Sequence, residues 1–140
     1  MTRTPAHPVL DTRRVLDALL RVLPVAEAIY LFGSRARGDA RIDSDLDLAV
    51  MSATPLDPLR RFEAQRELSA LLDCDVDLID LHDANSVLRS EVVNHGKLLW
   101  QRDAACTLDF EARVIGEYAE LLQATRALRD DIRKRGRVHA

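Results

Sequence analysis

The stretch that decides the fold is Gly33-Ser-Arg-Ala-Arg-Gly-Asp-Ala-Arg-Ile-Asp-Ser-Asp-Leu-Asp47. It follows a compact apolar run, Ile29-Tyr-Leu-Phe32, which reads as a strand, and it leads into a second strand, Asp45-Leu-Asp-Leu-Ala-Val-Met51. Residues two apart in a strand share a face, so Asp45 and Asp47 point one way while Leu46, Leu48 and Val50 pack the other. Two carboxylates at that spacing repel one another unless a hard divalent cation lies between them. The intervening stretch 35–44 is polar, with Gly38 and Asp39 marking a turn.

Outward from this core the pattern alternates. Upstream, residues 1–8 read as a loose arm holding two of the five prolines. Apolar positions recur at helical spacing over 9–23, and Pro24 ends the run. Downstream, Pro58 suits the first turn of a helix reaching about Leu72. A third strand over 74–81 alternates, with Asp75, Asp77 and Ile79 on one face and Val76 and Leu78 on the other. Asp83 is placed as the N-cap of a helix running to His95, with Gly96 as its C′ residue. Residues 97–101 form a short strand. A long helix over about 104–135 carries the apolar stripe Val114, Tyr118, Leu121, Thr125, Leu128 and Ile132. The stripe reads first as intramolecular core, with partner surface the alternative; one helix can also do both, burying its first half and offering its second. Helices alternating with strands predict an α/β (α+β) fold, a small mixed sheet covered by helices.

Asp77 stands between core-seeking neighbours, a costly place for an isolated carboxylate. If its strand adjoins that of Asp45 and Asp47, the three form a cluster suited to two magnesium ions and a phosphoryl displacement. Asp75 is the reserve candidate. Gly33 lets backbone approach a phosphate, Ser34 adds a hydroxyl and an N–H, and Arg35 and Arg37 can reach anionic oxygens. No Gly-x-x-x-x-Gly-Lys segment occurs, which excludes the phosphate loop of ATPases.

Composition excludes other classes. Apolar residues at 47% and charged residues at 31% describe a globular chain of 140 residues, long enough for one domain with a true core. A net charge of −3 gives no sign of nucleic-acid binding, and no direct DNA contact is expected. Cys74 and Cys106 lack partners at ligand spacing, so reduced thiols and a cytoplasmic setting are expected. No signal peptide or membrane-length apolar run is present. His82 and His95 read as structural, Tyr30 and Trp100 as core. The tail from Arg126 to Ala140 is basic and reads as a solvated helix end, with contact to RNA or to a partner protein the alternative.

The quoted stretch resembles the signature of the polymerase-β-like nucleotidyltransferase superfamily, with the family's ten-residue gap between Gly33-Ser34 and Asp45 intact. The short chain resembles the minimal nucleotidyltransferase (MNT) domains, and Val76-Asp-Leu-Ile79 is similar to the strand bearing their third carboxylate. The resemblance implies a nucleotidyltransferase core over 9–101, with 102–140 a C-terminal helix and basic tail of the same domain. It implies that Asp45, Asp47 and Asp77 bind magnesium, that Asp77 also helps activate the acceptor hydroxyl, and that Gly33 and Ser34 hold the phosphates of ATP. It further implies an antitoxin that moves AMP from ATP onto a tyrosine of a HEPN ribonuclease toxin, in a hetero-oligomeric complex. Two alternatives stand beside that reading: an antitoxin that only masks its toxin, and an enzyme modifying a small molecule such as an antibiotic.

Overall fold

The computed structural model describes residues 11–38 and 45–138; the arm expected over 1–8 lies outside them, as does Asp39. Among the described residues four strands form one mixed sheet in the order β3-β2-β1-β4. These are β1 (Ala26–Phe32), β2 (Leu46–Ser52), β3 (Val76–Asp80) and β4 (Lys97–Gln101). β1 runs antiparallel to both β2 and β4, and β2 runs parallel to β3. The long connection needed between parallel neighbours is supplied by helix α3 (Pro58–Leu72).

Alternation along the strands builds a core on each face of the sheet. On one face Ile29, Leu31, Leu46, Leu48, Val50, Val76 and Leu78 pack under α1 (Thr12–Val22) and α3. α1 contributes Val15, Ala18, Leu19 and Val22, an i, i+3, i+4, i+7 stripe, and Asp11 caps it by accepting from the Arg14 amide at 3.2 Å. On the other face Ala28, Tyr30, Ala49 and Met51 meet α4 (Ser86–His95) and α5 (Ala104–Val138) through Val92 and Phe110. The fully buried Tyr30 donates its hydroxyl to Glu111 at 2.8 Å, and Arg89 bridges to Glu117 at 3.2 Å, so α5 is tied to the sheet and to α4 near its start.

Several expectations are corrected. The polar stretch before the turn at Gly38 is not irregular: residues Gly33–Arg37 form a short helix, α2, closed by Gly38 in the left-handed region. The N-cap of α4 is Asn85, whose side chain accepts from the Leu88 amide at 2.8 Å, and not Asp83. Asp83 is held in a preceding turn, its amide donating to the Asp80 carbonyl. Gly96 is extended rather than left-handed. Its glycine is needed because an added Cβ would lie 3.0 Å from the Leu31 carbonyl and closer still to that of Val92. Gly96→Ala is therefore expected to lower stability by about 1–3 kcal/mol through overpacking, read as a lower midpoint in urea with unchanged slope.

β3 is an edge strand, and its outer edge is not left bare. The Val76 amide donates to the Ser69 hydroxyl at 3.1 Å and the Leu78 amide to Oε1 of Gln65 at 2.9 Å. Arg61 donates to the Leu78 carbonyl at 3.1 Å. All three side chains come from α3. Beyond Tyr118 the stripe of α5 loses its partner: Val114 is buried, whereas Leu128 and Ile132 are 60% and 58% exposed. No described helix is long and apolar enough to cross a membrane.

Candidate functional site

Asp47 and Asp77 are register partners on the parallel pair β2 and β3, so their Cα atoms lie side by side about 4.8 Å apart. Asp45 precedes Asp47 by two residues and shares its face. Leu46 aligns with Val76, and its amide donates to the Asp75 carbonyl at 2.8 Å. Continuing that register sets Asp75 opposite Asp45, while Asp77 is the carboxylate facing Asp47. Asp45 and Asp77 are exposed and Asp47 is half-buried. The three occupy the same sheet face as Tyr30 and Ala49, at the end not covered by α4 and α5.

β1 delivers the other wall. Phe32 is the register partner of Asp47, and the next residue, Gly33, has a φ of +73°. A Cβ added there would collide with the Asp47 carboxylate, so the carboxylate fills the space a side chain would take. Ser34 and Arg35 are half-buried and Arg37 is exposed. α2 starts at Phe32 without a side-chain cap, which leaves its first N–H groups to other acceptors.

Electrostatics ties these groups together. Burial, then the charge of Asp77, then that of Asp45 raise Asp47 from its ordinary value, while Arg37 and Arg35 pull it part of the way back. A carboxylate raised by burial and by acidic neighbours accommodates a hard cation, which takes oxygen ligands. The side chains stand in a row rather than closed around a point: among the described residues no three His, Cys, Asp or Glu side chains are gathered closely enough to hold a metal ion as they are. The donor chemistry and the glycine-lined space fit a divalent cation, and side-chain rotation would have to draw the oxygens together.

The raised Asp47 yields a stability prediction. A carboxyl whose folded pKa lies above its unfolded value costs stability wherever it is ionised in the fold, and costs nothing once pH falls below the unfolded value. In metal-free buffer Asp47→Asn is therefore expected to raise the thermal midpoint near about pH 7, with the gain disappearing near about pH 3. A lowered midpoint at neutral pH would mean that the carboxylate is stabilised by its surroundings.

Other polar groups are structural. Asp80, 2% exposed, accepts from the amides of Leu56 and His82, and the His82 ring is hydrogen-bonded to the Ser52 carbonyl. A cleft of about 440 Å³ lined by Met51, Ser52, His82, Arg89 and Phe110 lies at the opposite end of the sheet and shares no residue with the carboxylates. Arg61, Gln65 and Ser69 escaped the sequence reading. Their four-residue spacing marks one helix face, yet nothing in sequence says that this face meets a strand edge.

Comparison with known proteins gives the family. Positions 16–105 match the family described as Polymerase beta, Nucleotidyltransferase. The chain is 37% identical over 123 residues to a protein adenylyltransferase, MntA, of Shewanella oneidensis, covering 88% of each. A solved toxin–antitoxin structure with AMP-PNP aligns with a TM-score of 0.79 at 36% identity, over 88% of this chain and 98% of that one. A second, of a tri-AMPylated Shewanella oneidensis HEPN toxin with its MNT antitoxin, aligns with a TM-score of 0.71 at 35% identity, over 86% and 94%.

Proposed function

The chain belongs to the polymerase β nucleotidyltransferase family, and on that premise we propose that it is a protein adenylyltransferase antitoxin. It moves AMP from ATP onto a hydroxyl, a tyrosine by the likeness, of a cognate HEPN toxin in the cytoplasm and so silences it. The observation that carries this reading is the alignment of Asp45, Asp47 and Asp77 on an uncovered sheet end beside Gly33-Ser34. The likeness to an adenylyltransferase and to an antitoxin seen with AMP-PNP supports the choice of nucleotide. Residues 9–101 form the catalytic core in this reading, and 102–140 extend it.

Each residue has a part. The carboxylates of Asp45, Asp47 and Asp77 would hold magnesium. Magnesium bound there would offset charge on the triphosphate and ease ionisation of the acceptor hydroxyl. The hydroxyl oxygen attacks the α-phosphorus in line, the bond from that phosphorus to the bridging oxygen breaks, and pyrophosphate departs. Asp77 takes up the hydroxyl proton. The Ser34 hydroxyl and the N–H groups at the start of α2, with Arg35 and Arg37, stabilise the charge on the departing pyrophosphate.

Incubation with a HEPN protein encoded alongside the chain, magnesium, and ATP labelled at either the α- or γ-phosphate tests the reaction class. Label from the α-position alone on the HEPN protein is expected. Label from the γ-position would make the chain a kinase-like phosphoryl transferase and overturn the proposal.

A second reading, neutralisation by masking alone, is favoured by the exposed Leu121, Leu122, Leu128 and Ile132 along α5, an apolar run available to a partner. Undiminished neutralisation in cells by the Asp45→Asn, Asp47→Asn double variant would select it.

A further inference from the structure

We propose that Gln65, Ser69 and Arg61 of α3 are positioning residues that hold the edge strand β3, and with it Asp77, in register with Asp47. The proposal rests on Asp77 serving as the third carboxylate.

In a parallel pair, alternate residues of β3 turn their peptide groups toward β2. The Leu46 amide bonds the Asp75 carbonyl and the Leu81 amide the Val50 carbonyl, so residues 76 and 78 turn theirs outward. A strand edge in that condition is free to slide or fray, and a slip would carry Asp77 away from Asp47. α3 supplies a substitute for the missing strand. Gln65 and Ser69 are four residues apart, about 6 Å along a helix, and Val76 and Leu78 are two apart, about 6.6 Å along a strand. The two spacings match closely enough for one helix face to serve successive outward amides, on both sides of Asp77.

Each acceptor is itself fixed. Ser69 donates its hydroxyl proton to the Gln65 carbonyl at 2.9 Å, which leaves its lone pairs for the Val76 amide. Oε1 of Gln65 receives the Leu78 amide and also Arg61 at 3.4 Å, which orients the side-chain amide. Arg61 closes the circuit on the Leu78 carbonyl. Apolar contact through Ala64 and Leu68 would hold α3 against the sheet without any of these groups. The polar face therefore adds register, beyond adhesion.

The test compares Gln65→Met and Ser69→Ala, singly and together, with Ser69→Thr, which keeps the hydroxyl, and with Val92→Ala, a core variant on α4 that leaves the polar groups of α3 in place. Hydrogen exchange of the metal-free protein is expected to show faster exchange at Val76 and Leu78 in the first two variants. AMP transfer by the double variant should fall in kcat by on the order of ten- to a hundredfold. Its magnesium requirement should rise and its KM for ATP stay unchanged. Ser69→Thr should restore wild-type values, and Val92→Ala should lose thermal stability with kcat retained. Wild-type kcat and magnesium requirement in the double variant, or an equal kcat loss in Val92→Ala, would overturn the proposal. Asp77→Asn is run alongside: if it retains activity, the assignment of Asp77 has failed rather than the clamp.

Discussion

Asp45→Asn combined with Asp47→Asn is expected to reduce AMP transfer about a thousandfold or more while the protein stays folded. Asp45 is exposed just before β2 and Asp47 is half-buried near its start, and neither contributes to the apolar clusters on the two faces of the sheet. Replacing them by amides keeps shape and removes two negative charges from a place where three oppose one another. On the proposed mechanism these carboxylates hold the cations, so their removal is expected to take away several kcal/mol of transition-state stabilisation, and about 4 kcal/mol is a thousandfold in rate. Stability should not fall, because burial and the charge of Asp77 already work against an ionised Asp47. Single-turnover transfer and thermal melts on the same preparation check both halves. Activity within tenfold of wild type would remove these carboxylates from the chemistry, and a collapsed melt would assign them a structural role instead.

Gly33→Ala is the second large effect. At a φ of +73° an L-residue pays about 1–2 kcal/mol in backbone strain, and here the new methyl also meets the Asp47 carboxylate. The carboxylate must move, and a displacement on the order of 1 Å at a reacting centre costs about a hundredfold in rate. Gly38 provides an internal control. It too has a positive φ, +80°, but nothing lies within 4 Å of a Cβ built there. Gly38→Ala should therefore show a similar loss of stability with most of kcat retained. Equal kcat in the two variants would mean that the contact with Asp47 does not matter to the reaction.

These two cases also show what could be read from sequence. The shared face of Asp45 and Asp47 follows from the period of a strand alone, and the alternation of Val76, Asp77 and Leu78 orients the third carboxylate. That Asp77 lies opposite Asp47 depends on strand order and register, which periodicity does not carry. α2, with five residues, is too short to display a helical period. Asp83 and Asn85 are both good caps, and the turn made by the Asp80 carbonyl decides between them. On α5 the apolar stripe runs unbroken from Val114 to Ile132, yet the sheet and α4 extend only far enough to cover its beginning. Whether such a stripe is core or partner surface is a property of what lies opposite it. The edge clamp from Arg61, Gln65 and Ser69 was invisible for the same reason.

The most direct measurement is the intact mass of the HEPN protein purified after co-expression with this chain, compared with co-expression with the Asp45→Asn, Asp47→Asn variant. The wild type is expected to leave its partner heavier by one or more AMP units, localised to tyrosine, and the variant to leave the mass unchanged. An unmodified partner, bound to the wild-type chain and inactive, would contradict nucleotidyl transfer as the means of neutralisation.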